Sequence, residues 1–266
     1  WLKPFVSNQP CTLQSAADVC SHPAFAMGKL IREHEVYFAT LAEQAERYDE
    51  MAEHMHNVAS MFDQELDAEE RNLLGVAYKQ AIAQRRSAWR TVATVEHREE
   101  KNGNVMTTAA ARNYRRTIET EMKTLCQQIL TLLTDTLIPR ASTADAKVSL
   151  HKAQGDYYRY IAEITDNVEK TDATRSAKLA YEKGTKIAES MLPVTNSFRL
   201  GLALNHAVFY YEVMGSPPDA VRIGRKAFED AVREIDGLAE DGAKESALVM
   251  QLLRDNLTLW TSDPAG

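Results

Sequence analysis

The sequence predicts an all-α chain, and three features of it carry that prediction. Among 266 residues only 11 are Gly and 8 are Pro, while Ala, Leu, Glu, Lys, Gln and Arg are plentiful, a balance that favours helix over sheet or disorder. Apolar residues recur at three-to-four spacing, as in Leu41, Ala45, Tyr48, Met51 and Met55. Cap and terminator residues fall between the periodic stretches, and no stretch alternates as a strand would. Roughly nine antiparallel helices with short connections are expected.

Residues 1–30 differ from the rest of the chain. They hold Pro4, Pro10 and Pro23 and few charges, and read as a poorly ordered extension with a short helix near Leu13–Cys20. The helical domain is expected over 31–266. A break within Leu41–Met55 gives two short helices in place of one. Asp67 followed by Glu70 is a capping box, opening a long helix to about Glu100 that ends at Lys101-Asn102-Gly103-Asn104. A second long helix is expected from Thr107 to Leu137, stopped by Pro139. Ser142-Thr143-Ala144-Asp145 starts the next. Two more cover Thr171–Glu189 and Asn196–Met214. Gly215-Ser216-Pro217-Pro218-Asp219 joins a terminator to a new start. That helix ends near Gly237, and the last runs from Asp241 to Trp260. No strict 34-residue repeat is present, which disfavours a tetratricopeptide array.

Charge and composition limit the function classes. Net charge is −7, so general affinity for nucleic acid or an anionic membrane is not expected, and no run approaches a membrane span. Cys11, Cys20 and Cys126 are odd in number and lack metal-ligand spacing, which points to a reducing, cytoplasmic setting. The opening Trp1-Leu2-Lys3-Pro4-Phe5-Val6 is too short and too broken by proline for a signal peptide. It lacks an initiator Met, as a processed chain or a fragment of a longer one would. There is no glycine-rich phosphate loop, nucleophile motif or metal-spaced set, so neither an enzyme nor a cofactor is expected.

Within this acidic chain two basic stretches stand out. In Gly75–Arg90, residues turn by about 100° each, which brings Lys79, Arg86 and Arg90 within roughly 60° of one another. A solvated face would look the same. The second stretch carries Lys152, Arg159, Tyr160 and Glu163, with Glu163 placed to orient Arg159 at i+4. Two Arg, a Lys and a Tyr hydroxyl are groups that would hold a phosphate dianion. Two further helices carry amides between apolar side chains: Leu204, Asn205, Val208 and Glu212 on one, Leu252, Asn256 and Trp260 on the other. A half-buried amide needs a partner, and the main chain of an extended peptide is one. Together these stripes describe an amphipathic groove.

Six stretches carry a resemblance: LAEQAERYDEM (41–51), ERNLLGVAYK (70–79), RRSAWR (85–90), GDYYRYIAE (155–163), RLGLALNHAVFYYE (199–212) and MQLLRDNLTLWTSD (250–263). By these motifs, in this order, the chain resembles the 14-3-3 family of dimeric all-helical adaptors that bind phosphoserine and phosphothreonine peptides. The resemblance covers about 32–262. It implies nine antiparallel helices and a concave groove in each protomer. Lys79, Arg86, Arg159 and Tyr160 would hold the phosphate, and Asn205 and Asn256 the peptide backbone, with Glu163, Glu212 and Trp260 nearby. Leu204, Val208, Leu252 and Leu259 would form the apolar wall, and Arg90 and Lys152 would line the basic side. Leu41, Ala45, Arg47, Val92, Val95, Tyr114 and Glu121 match dimer-interface positions, with Arg47 able to pair with Glu121 across it. A homodimer, or a heterodimer with a related chain, is implied.

The chain departs from the family pattern at three points. Thr117 stands where a Lys is common, so a second pair, to Glu50, is lost. Ala88 replaces the serine whose phosphorylation loosens some family dimers, so that switch is expected to be absent. The flexible acidic tail common after the last helix is missing from this sequence. The rival reading is a phosphate-independent helical-repeat interaction scaffold.

Overall fold

A computed structural model describes residues 23–61, 63–234 and 240–262. Among them there is no strand, and the helices run in order: α1 (Pro23–Gln44), α2 (Tyr48–Met61), α3 (Ala68–Lys101), α4 (Val105–Leu132), α5 (Ala144–Ile164), α6 (Asn167–Met191), α7 (Ser197–Glu212), α8 (Pro217–Val232) and α9 (Glu240–Ser262). The all-α expectation holds over the described residues.

Local signals account for most boundaries. Helix α1 breaks from α2 at Glu46, which adopts a positive φ of 55°. Asp67 caps α3 through its side chain to the Glu70 N–H, and the Glu70 carboxylate accepts the Asp67 N–H, the reciprocal arrangement of a capping box. The same carboxylate accepts two bonds from Arg32, at 2.7 and 2.6 Å, so the cap of α3 also anchors α1. Gly103, with φ 72°, makes the left-handed turn between α3 and α4. Thr143 and Asn196 cap α5 and α7, and Gly215, with φ 60°, separates α7 from α8.

Four departures from expectation stand out. Helix α6 begins at Asn167, ahead of the expected Thr171. Helix α1 begins at Pro23, so residues 23–30, read as part of the extension, are helical; the remainder of that segment and its short helix lie outside the described residues. Helix α8 ends at Val232, short of Gly237. Pro139 does not stop α4. The chain passes through a π-helical stretch, Leu133–Leu137, into the turn Ile138–Arg140. The Ile138 N–H reaches back five residues to the Leu133 carbonyl, and this widening gives the proline ring the room that an α-helix denies it.

Packing is both sequential and alternate. Each helix packs on a chain neighbour, and α1 also meets α3, α5 meets α7, and α7 meets α9. The largest core cluster joins the N-terminal helices through Met51, Met55, Tyr78, Ile82, Met122 and Ile129, each at most 2% exposed. Fully burying one such side chain contributes about 1.5–3 kcal/mol. Smaller clusters continue the core through Tyr181, Leu202 and Phe209, then Leu200, Met250 and Leu253, then Ala207, Ala220 and Trp260. Helices α5 and α6 touch most closely at Gly155, where a Cβ would lie 2.6 Å from the Tyr181 ring. Only a glycine lets Tyr181 sit against α5 at this distance, and that contact fixes where its hydroxyl lies.

Candidate functional site

The two basic stretches converge. The Arg86 guanidinium of α3 lies 4.5 Å from the centre of the Tyr160 ring of α5, and the Arg159 guanidinium lies 4.8 Å from it. Cations over an aromatic face are attracted by its quadrupole, so the Tyr160 ring draws both guanidinia to itself. Neither Arg can approach the other unaided, because like charges repel.

Carboxylates hold this cationic pair in place. Glu163 receives the Arg86 Nε at 2.6 Å and the Arg90 guanidinium at 2.6 and 3.2 Å. The sequence spacing assigns Glu163 to Arg159, and the structure corrects this: Glu163 crosses to α3 and leaves Arg159 to others. The reason is geometric. An i,i+4 partner is available only if no better donor arrives from a neighbouring helix, and two guanidinia do. Burial pushes the Glu163 carboxyl upward, but Arg86 and Arg90 outweigh it and hold the group below the usual carboxylate range.

Arg159 is 8% exposed. It donates to the Tyr181 hydroxyl at 3.4 Å and to Asp156 at 3.5 Å, with Glu212 of α7 at 3.6 Å. Asp156 is buried and accepts from Lys152 at 2.9 Å, from the Tyr181 hydroxyl at 2.6 Å and from the Asn205 amide at 2.8 Å on each oxygen. Burial alone would raise the Asp156 pKa, yet Lys152, Arg159 and the Tyr181 hydroxyl together lower it. The carboxylate therefore stays charged at neutral pH, where a buried unpaired one would take up a proton. Asp156 and Tyr181 are site residues that the sequence does not single out. Asp156 is legible in hindsight, four residues after Lys152 and three before Arg159; Tyr181, on another helix, gives no signal.

The remaining expected residues fall on the same alternate helices. Lys79 is exposed one stripe position from Arg86 on α3. On α7, Leu204, Asn205 and Val208 are half-buried and Glu212 is exposed. On α9, Leu252 and Leu259 are 45% and 60% exposed. Asn256 donates to the Leu252 carbonyl of its own helix at 3.0 Å. Trp260 is only 7% exposed and stacks on Tyr211 at 5.1 Å, so its main role here is to join α9 to α7. Ion pairs, hydrogen bonds and stacking thus link α3 to α5, α5 to α7, and α7 to α9. Lys79, Arg86, Arg90, Lys152 and Arg159 set five cations against Glu163, Asp156 and Glu212. The two-charge excess is what a bound dianion would neutralise.

The expected interface positions lie elsewhere. Leu41 and Tyr114 are 40% and 61% exposed, and Ala45 is also exposed. Val92 and Val95 are half-buried, with Val92 packed against the main core. Arg47 pairs with Glu50 of its own helical turn. Glu121 pairs with Arg85 at 2.9 Å, and Arg85 also holds Asp49 at 2.9 Å. Arg85, part of the basic stretch in sequence, therefore points to the α2–α4 side, away from Arg86.

Among the described residues no cluster of His, Cys, Asp or Glu could hold a metal ion, and no helix is long and apolar enough to cross a membrane. Comparison with known proteins gives a consistent result. A family model described as 14-3-3 protein matches residues 38–261. The chain is 49% identical to a 14-3-3 protein of Eimeria tenella, covering 88% of this chain and 89% of that one. It is 50% identical to the 14-3-3-like protein GF14-F of Oryza sativa subsp. japonica, covering 88% and 90%. It is 51% identical to a 14-3-3-like protein of Chlamydomonas reinhardtii, covering 87% and 90%.

Proposed function

The chain belongs to the 14-3-3 family, and on that footing we propose that it is a non-enzymatic adaptor binding extended segments that carry one phosphoserine or phosphothreonine. The observation that carries this reading is the convergence of the Arg86 and Arg159 guanidinia on the Tyr160 ring, at 4.5 and 4.8 Å, with each guanidinium bonded to a carboxylate. Anchoring Arg86 through Nε leaves its outer nitrogens for phosphate oxygens, and on Arg159 a phosphate would compete with Glu212, 3.6 Å from Nη1, so the donors are in place before the ligand arrives. Lys79 adds a point charge and Tyr160 a hydroxyl. Arg90 and Lys152 extend the basic side.

Asn205 and Asn256 bond the main chain of the bound segment, with Glu163, Glu212 and Trp260 supporting them. Leu204, Val208, Leu252 and Leu259 receive its apolar side chains. Clients are regulated by this docking. The family domain spans 31–266 after an extension, 1–30, whose residues 23–30 open α1, and the setting is cytoplasmic. The test is a paired calorimetric titration with one peptide in phosphorylated and unphosphorylated forms. Binding of the phosphorylated form alone supports the reading, and equal binding replaces it with a phosphate-independent scaffold.

The proposal includes self-association, as a homodimer or with a related chain, through α1 and α4. Tyr37, Leu41, Val105, Met106 and Tyr114 are exposed apolar side chains on these helices, and apolar surface left open on a helix is what a partner copy would cover. A mass of about 60 kDa, twice the 29.8 kDa chain, is expected from light scattering at micromolar concentration. A single 30 kDa species there would refute the dimer. Because Glu121 is shared with Arg85, an Arg47–Glu121 pair across the interface would add little, about 1 kcal/mol or less.

A further inference from the structure

Helices α6, α7 and α8 line a cavity of about 280 Å³ in which none of the groove residues takes part. Leu202, Ala203, Ile223 and Ala227 give it apolar walls, and Tyr210 adds an aromatic ring. His206 also lines it, although the residue is only 7% exposed. Its Nδ1 lies 3.4 Å from the Thr185 hydroxyl, which donates to the Tyr181 carbonyl at 2.8 Å and so meets the imidazole as an acceptor. The ring proton therefore sits on Nδ1, and burial keeps the imidazole neutral at pH 7. Nε2 is left as a bare acceptor with no partner among the described residues. A buried acceptor without a donor is costly, and the phosphopeptide groove makes no use of this one.

The charged groups around the cavity balance, Arg199, Arg222 and Lys226 against Glu182, Glu189 and Asp230. The cations are engaged as well: Lys226 with Asp230 at 2.8 Å, Arg222 with Asp219 at 2.9 Å, and Arg199 with the Leu192 carbonyl at 2.7 Å. Neither an anion nor a cation is favoured inside, because a buried charge needs a partner. The lone acceptor calls for one donor, and the walls call for apolar surface. An apolar cavity of about 150 Å³ is enough to hold benzene, so this one has room for a substituted ring.

We propose that this cavity is a second binding site, separate from the groove, for a small neutral phenol whose hydroxyl donates to His206 Nε2. The site goes beyond the phosphopeptide reading and does not rest on it.

The probes are 4-ethylphenol and ethylbenzene, which differ only in the hydroxyl. Each is titrated at pH 7.5 into the full chain carrying labelled alanine methyls, and binding is read by nuclear magnetic resonance. Saturable shifts at Ala203 and Ala227 are expected, with the phenol bound more tightly. His206→Phe keeps an aromatic ring and removes the acceptor, so the affinity ratio of phenol to ethylbenzene should fall about tenfold, as for one buried hydrogen bond. An unchanged ratio overturns the assignment to His206.

A long-range proton–nitrogen spectrum of the wild type decides the same point should the variant not fold. The His206 Nε2 resonance is expected to move upfield with 4-ethylphenol and to hold its position with ethylbenzene. Equal movement with both probes, or none with either, overturns the proposal. Absence of saturable methyl shifts with either probe also overturns it, and would show a cavity that is closed or filled by ordered water.

Discussion

Arg86→Glu is expected to weaken binding of a singly phosphorylated peptide at least about 100-fold, with circular dichroism and melting temperature close to wild type. The Arg86 Nε bonds Glu163 at 2.6 Å, its guanidinium lies over Tyr160, and its side chain is 21% exposed. Losing one charge-assisted bond costs about 1.5–3 kcal/mol. The new carboxylate adds repulsion toward both Glu163 and the phosphate, so a total near 2.7 kcal/mol, roughly 100-fold, is a lower bound. Glu163 keeps Arg90 as a partner in the variant, which is why the fold should tolerate the change. Unchanged affinity in the folded variant, measured by calorimetry, would remove the α3–α5 groove as the phosphate site. Arg159→Glu is the less clean experiment, because it would place a second carboxylate beside Asp156 in a buried position.

The second large effect is a pH dependence of stability centred on His206. This residue is 7% exposed, stacks on Tyr181 at 5.3 Å, meets the Tyr210 ring at a tilt at 5.2 Å, and its Nε2 has no partner among the described residues. Thr185 lies 3.4 Å from its Nδ1. The Thr185 hydroxyl donates to the Tyr181 carbonyl at 2.8 Å, so it meets the imidazole as an acceptor and holds the Nδ1–H tautomer. Burial, aided by Arg222 and Lys178, pushes the pKa down to about 4 from an ordinary 6.5.

With the folded pKa below the unfolded one, the unfolded chain binds the extra proton between these values. The contribution to stability is complete above about pH 6.5 and is lost as the pH falls toward 4. The full difference is about 3 kcal/mol, of which roughly 2 kcal/mol is lost by pH 5. His206→Phe keeps an aromatic ring between the two tyrosines and removes the titration. Urea denaturation at pH 7.5 and pH 5 should show the wild type losing about 2 kcal/mol more than the variant. Carboxylates that titrate in this range do so in both proteins and cancel in the difference. Equal losses would show that His206 is protonated in place at little cost.

Much of the architecture was legible in the chain because its determinants are local. The Asp67–Glu70 capping box, the Thr143 and Asn196 caps and the positive-φ glycines Gly103 and Gly215 each act within a few residues. The stripe from Lys79 to Arg90 was legible for the same reason, since helical period alone places side chains on one face.

Pro139 shows the limit of that reading. A proline breaks an α-helix, but a π-helical stretch before it can absorb the ring, and nothing in the local residues announces which will occur. Glu163 shows a second limit, because helical spacing offered Arg159 as its partner and the fold supplied Arg86 and Arg90 instead.

The sequence by itself determined that this chain is helical, where most helices start and stop, and which helix faces carry positive charge or amides. Only the tertiary structure decided that Arg85 turns to Asp49 and Glu121 while Arg86 meets Tyr160, and that Asp156 gathers Lys152, Arg159, Tyr181 and Asn205 at one point. The physical reason is range. Caps and periodicity act over one or two turns of a helix, whereas the partners of a buried charge come from whichever helices pack around it.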